Sequence, residues 1–355
     1  MTDSAAQTPK TLLIVGAGAS REFNLPIGSE LKNLISSALD IRFKDGYNMS
    51  SGDNIICSAF QFAATASNPS SQDINPFLTA GWKVRDAMPQ APSIDNFIDV
   101  HSNDKRIELC GKLAIVRTIL QAESKSSLFI NPTQSERKLN FSQLENTWLN
   151  AFMQLLTENC KAVDLEQRLS SVALVIFNYD RCIEHYMYHW LQNYYSINNS
   201  LAAKLLQGLE IYHPYGTVGS LPWLSSKNAI EYGATPSPKE LLELASQIKT
   251  FTEGTDETSS NVNAIRSHMK MTNKLIFLGF AFHKLNMELL IQTGSAKVNG
   301  ISLSIFATAH GISGSDSEDI RVELSNALST SKTYLRTDLK CNQLFQEFRR
   351  KLSFV

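Results

Sequence analysis

Apolar residues fall along this chain in two rhythms. Short unbroken runs are bounded by glycine, proline or polar residues and predict buried strands. These are "TLLIVGAGA" (11–19), "SSVALVIFNYD" (170–180), "LEIYHPYG" (209–216), "KLIFLGFAF" (274–282) and "GISLSIFATA" (300–309). Between them the apolar positions recur at helical spacing. Leu31, Leu34, Ile35, Ala38 and Leu39 share one face of a helix expected after the first strand. The same period runs through much of 103–160 and through "RCIEHYMYHWLQNYY" after the second strand. Ser237-Pro238-Lys239-Glu240 is a capping box with proline at the first helical position, so a helix starts there. Residues 338–355 repeat Leu344, Phe345, Phe348 and Leu352 at helical spacing and predict a terminal helix. Residues 44–92, rich in Ser, Asn, Asp, Gly and Pro, predict loops and short helices, and "GTDETSSN" (254–261) a surface loop. Strands alternating with helices imply an α/β fold: a Rossmann-like, mainly parallel sheet flanked by helices, with a helical insertion near 45–160.

A length of 355 residues allows one large or two ordinary domains. Charge is balanced, 33 Lys and Arg against 34 Asp and Glu, which gives no electrostatic case for nucleic acid. The start "MTDSAAQTPK" lacks the features of a signal peptide. No apolar run approaches the roughly 18 residues of a membrane span. Five cysteines are dispersed and never paired as C-x-x-C. They suit a reducing compartment and argue against a disulfide framework or a structural zinc site. The expectation is a soluble, cytoplasmic protein that uses no metal.

Three strands end in polar chemistry: "VGAGAS" (15–20), "IFNYD" (176–180) and "IYHPYG" (211–216). In a parallel sheet such ends line one crevice. Gly16-Ala17-Gly18 ends its strand as a phosphate-binding turn does, where glycine lets backbone approach a pyrophosphate. Arg21 stands where the dehydrogenase fingerprint has a third small residue, and Asp40 falls inside a helical pattern rather than at a second strand's end. A hydride-transfer arrangement is therefore disfavoured. Taken singly, Asn178-Tyr179-Asp180 reads as an Asx turn capping the next helix, His213 as a satisfied half-buried histidine, and Gly279 as close backbone packing. Met187, Trp190 and Tyr194 read as a core stripe, and His185, His189 and His268 as structural or surface residues.

Taken together, the stretches resemble a family. GAG-x-S, a strand-end NYD, a strand-end histidine with glycine close behind, and GF-x-F-x-x-x-N look like the sirtuin-like NAD-hydrolysing domains of bacterial antiphage defence systems. "PSIDNFID" (92–99) is similar to a segment of their helical insertion. The resemblance implies a catalytic domain over 8–315 and a C-terminal helical extension over 316–355. It implies a phosphate loop of Gly16, Ala17, Gly18 and Ser20. Asn178 and His213 match the catalytic pair, Asp180 the neighbour near the nicotinamide, and Gly279 and Asn286 the border of the adenosine half. Lys284 stands where many relatives carry Asp. The implied activity is NAD+ glycohydrolysis to ADP-ribose and nicotinamide, depleting NAD+ as an antiphage effector. Without C-x-x-C pairs, the zinc module of deacetylating sirtuins is missing. The resemblance further implies a homo-oligomer, or control by a partner ATPase or Argonaute-type protein. The alternative is a non-hydrolytic module that senses NAD or an ADP-ribose derivative through oligomer or partner contacts.

Overall fold

The computed structural model describes residues 10–67, 73–133, 138–250, 253, 260–291 and 302–355. Its strands are β1 (Thr11–Gly16), β2 (Arg42–Lys44), β3 (Asn48–Ser51), β4 (Val172–Phe177), β5 (Glu210–Tyr212), β6 (Lys274–Leu278), β7 (Ser304–Thr308) and β8 (Thr333–Arg336). β2 and β3 form a separate antiparallel pair. The other six make one parallel sheet in the order β5-β4-β1-β6-β7-β8. Counted along the chain, that is the doubly wound order, which reverses direction at β1 and opens a crevice beyond the strand ends there.

β1 and β4 are buried along their whole length, which is why they read as unbroken apolar runs. Alternate residues of β1 feed two cores. Leu12 and Ile14 pack with the helix Gly28–Leu39 and the insertion, while Leu13 and Val15 pack with the helices Trp148–Thr157 and Cys182–Tyr195. The register sets the level of the strand ends. Gly16 lies beside Phe177 and Val15 beside Leu278, so Ala17, Asn178 and Gly279 leave the sheet close together.

The insertion is more regular than its composition suggests. Residues 42–51 form the β2–β3 hairpin, and Asn54–Ser67 and Asn75–Ala87 are helices of 14 and 13 residues. Asp53 caps the first by accepting from the Ile55 and Ile56 amides, and Phe60 stacks on Phe77 between the two. The helix Gly28–Leu39 corrects one expected contact. Leu31, Ile35 and Leu39 are buried, whereas Leu34 is 42 % exposed, because packing uses a narrow i, i+4, i+8 stripe.

The capping box at Ser237 starts the helix Pro238–Ala245 as expected. Beyond residue 315 the chain is not wholly helical. The helix Gly314–Ala327 leads into β8, which pairs with β7, and two short helices, Cys341–Glu347 and Arg349–Leu352, follow. They are divided at Phe348, yet Leu344, Phe345 and Leu352 are buried, with Phe345 stacked on Trp148. Residues 254–259 of the expected loop and 300–301 of the last expected strand lie outside the described residues.

Candidate functional site

The ends of β1, β4 and β5 bring Ser20, Asn178, Asp180 and His213 together. Ser20 closes a four-residue helix, Ala17–Ser20, that starts directly at the end of β1. Its hydroxyl donates to Asp180 Oδ2 at 2.7 Å and accepts from Asn178 Nδ2 at 3.2 Å. Asn178 Nδ2 also donates to Asp180 Oδ2. All three side chains are buried. Asp180 Oδ1 accepts from the Cys182 amide at 3.0 Å, and Asn178 Oδ1 from the Tyr179 amide at 2.9 Å. An Asx turn at Asp180 and the joint cluster are thus both present, while the N-cap of the following helix, Arg181, makes no side-chain capping bond. Burial pushes the Asp180 carboxyl above its ordinary pKa, with the Ser20 and Cys182 hydrogen bonds pulling back.

His213 sits between two acceptors. Nδ1 faces the Asn178 carbonyl at 3.3 Å and Nε2 faces Glu184 Oε1 at 2.7 Å. A carbonyl cannot donate, and neither can an ionised carboxylate, so this setting favours a proton on both ring nitrogens. Burial alone would lower the pKa; the Glu184 charge and hydrogen bond, with the Asn178 carbonyl, outweigh it and hold the ring above its ordinary value. Glu184 is absent from the strand-end pattern. Its one signal is position, four residues after Asp180 in the first turn of the helix Cys182–Tyr195. Glu184 Oε2 is buried and has no hydrogen-bond partner.

The glycines interlock. Gly18 N–H donates to the Gly279 carbonyl at 3.0 Å. A Cβ on Gly16 would stand 2.5 Å from that oxygen, and one on Gly279 only 2.0 Å from the Ala19 nitrogen. Gly279 also has φ +54°. The Gly18 amide is thus committed to protein, and the glycines fasten the end of β1 to the end of β6. A single 3-10 turn, Arg21–Phe23, follows the short helix, and the longer helix begins only at Gly28.

Asn286, in the helix Lys284–Leu290, accepts from the Tyr215 hydroxyl, two residues past His213. Lys284 is exposed. From the insertion, Asp95 of "PSIDNFID" accepts from the Tyr179 hydroxyl, and burial pushes its carboxyl up to about 6. Arg181 and Glu123 form a buried ion pair (2.5 Å) that the sequence pattern does not mark. The Arg181 guanidinium also donates to the Ile230 and Glu231 carbonyls, and Glu123 accepts from the Gly233 amide. The pair therefore ties the end of the insertion to β4 and to the loop at 230–233. His185 stacks on Tyr232 in this loop and, through burial, is held well below its ordinary pKa, as a structural residue.

Among the described residues no group of three His, Cys, Asp or Glu side chains is placed to hold a metal ion, and no helix is long and apolar enough to cross a membrane. Compared with known proteins, the chain matches no family model and no curated sequence.

Proposed function

We propose that this chain cleaves NAD+ between nicotinamide and ribose, releasing nicotinamide and ADP-ribose. The observation that carries the reading is the convergence of Ser20, Asn178, Asp180 and His213 beyond the sheet's carboxyl ends, at the reversal of a doubly wound strand order. Bond cleavage builds positive charge on the ribosyl centre, by analogy with glycoside hydrolysis. Nicotinamide leaves as a neutral molecule and needs no strong acid. The chain must instead orient the ribose, stabilise that charge and place a water. Asn178 supplies an amide for orientation and Asp180 a carboxylate for the charge. His213 works as one unit with Glu184, which with the Asn178 carbonyl raises the ring's pKa, and the ring becomes a base once it has lost one proton to solvent. Depletion of NAD+ as a defence response, under control by self-association or by a partner ATPase or Argonaute-type protein, belongs to the same proposal.

A second reading, a module that binds NAD or an ADP-ribose derivative without cleaving it, is favoured by one feature. Ser20, Asn178 and Asp180 satisfy one another, as a purely structural cluster would. Chromatography of NAD+ incubated with purified protein separates the two readings. The hydrolase releases nicotinamide, and Asn178→Ala abolishes that release. Calorimetric binding of NAD+ without release supports the sensor, and neither binding nor release refutes both.

A further inference from the structure

We infer that a cleft on the Glu184 side of His213 is a second ligand site, for a pentose phosphate unit. The cleft has a volume of about 430 Å3, and Glu184, His213, Thr217, Trp223 and Lys249 are among its lining residues. That volume lies within the roughly 300–1,000 Å3 of small-molecule sites. Gly16, Gly18, Ser20, Asn178 and Gly279 do not line it, so it adjoins the crevice at β1 and shares only the His213–Glu184 wall with the proposed catalytic site.

Three features define the ligand. Glu184 Oε2 is buried without a donor, while its sister oxygen is already engaged by His213. A buried carboxylate oxygen calls for an O–H or N–H from outside. Charge is the second feature. Glu184 offsets His213, and Arg181 on the same wall is offset by Glu123. The Lys249 ammonium has no ion-pair partner among the described residues, which leaves a net positive wall suited to an anionic group. Third, the Trp223 ring is fixed by stacking on Tyr188, with centroids 4.3 Å apart and planes 3° from parallel. A rigid indole offers a flat face to the C–H side of a sugar. Hydroxyl donor, anion and sugar face together describe a pentose phosphate, free or within a mononucleotide.

The test is calorimetric titration of the full chain with ribose 5-phosphate, and with AMP as the nucleotide source. Saturable binding of at least one is expected. Lys249→Ala and Glu184→Gln should each weaken it about tenfold, the scale of one charge-assisted hydrogen bond. Lys44→Ala, on the β2–β3 hairpin and outside both the cleft and the crevice, should leave it unchanged. No saturable binding of either ligand would overturn the proposal, as would affinity unaffected by Lys249→Ala, whatever the fate of Glu184→Gln. Loss of binding in Ser20→Ala alone would move the ligand to the crevice and overturn it equally. The readout is equilibrium binding without turnover, so it stands or falls independently of NAD+ cleavage.

Discussion

At His213 the proton is held between a carboxylate and a carbonyl, and this sets the expected pH behaviour. A ring whose folded pKa is raised stabilises the protein below the unfolded value, near 6.5, and loses that contribution as pH climbs through the folded value. The base needed for cleavage appears over the same rise. Nicotinamide release should therefore increase with pH above the ordinary histidine range, and Glu184→Gln should shift that limb to lower pH. An unshifted pH–rate profile would remove Glu184 from the unit. Asp95 makes a separate prediction. Its carboxyl is raised from 3.8 to about 6, so folding stability falls as pH rises from the unfolded through the folded value. Asp95→Asn keeps an acceptor for Tyr179 and should add on the order of 2 kcal/mol at pH 7 while flattening that slope. Urea unfolding from pH 4 to 7 checks both, and parallel curves for the two proteins would contradict it. Asn178, Asp180 and His213 were legible because polar residues at the ends of apolar strands stand out. Glu184 was not, because an acidic residue in a first helical turn ordinarily does no more than complement the dipole.

Among the elements, the join between β1 and β6 leaves least room for change. The glycines of both strand ends touch through backbone, which cannot move aside as a flexible side chain can. Gly279→Ala should cost about 3 kcal/mol or more, from left-handed strain and a backbone clash together. Gly28→Ala meets nothing within 4 Å and should melt within a few degrees of wild type. Equal melting temperatures for all three proteins would contradict the interlock. A Cβ on Gly18 would stand 2.8 Å from the Gly279 oxygen, so a branched side chain there would disturb the fold as well as any phosphate contact. The long strands were readable because both faces are buried. β8, four half-buried residues on a sheet edge, offers no such run. The helices at 54–67 and 75–87 were hidden because the Ser, Asn, Asp and Gly that dominate the composition of 44–92 fall mostly before and between them in the sequence.

For the whole molecule, a mainly parallel sheet follows from strand–helix alternation, but the doubly wound order, which strands are neighbours, could not be read from any one segment. If the chain drains NAD+, its activity must be restrained. We predict that turnover per chain changes with protein concentration or with a partner. A monomer by light scattering, with constant turnover at every concentration and no partner effect, would contradict this. The central claim is that Asn178 and His213 act on one substrate. It is tested most directly by nicotinamide release from NAD+ by wild type, Asn178→Ala, His213→Ala and the double variant. Each single change should cut turnover about 100-fold or more, and the double should be scarcely worse than either, since residues acting as a unit are not additive. Full turnover in His213→Ala, or losses that multiply in the double variant, would contradict the account.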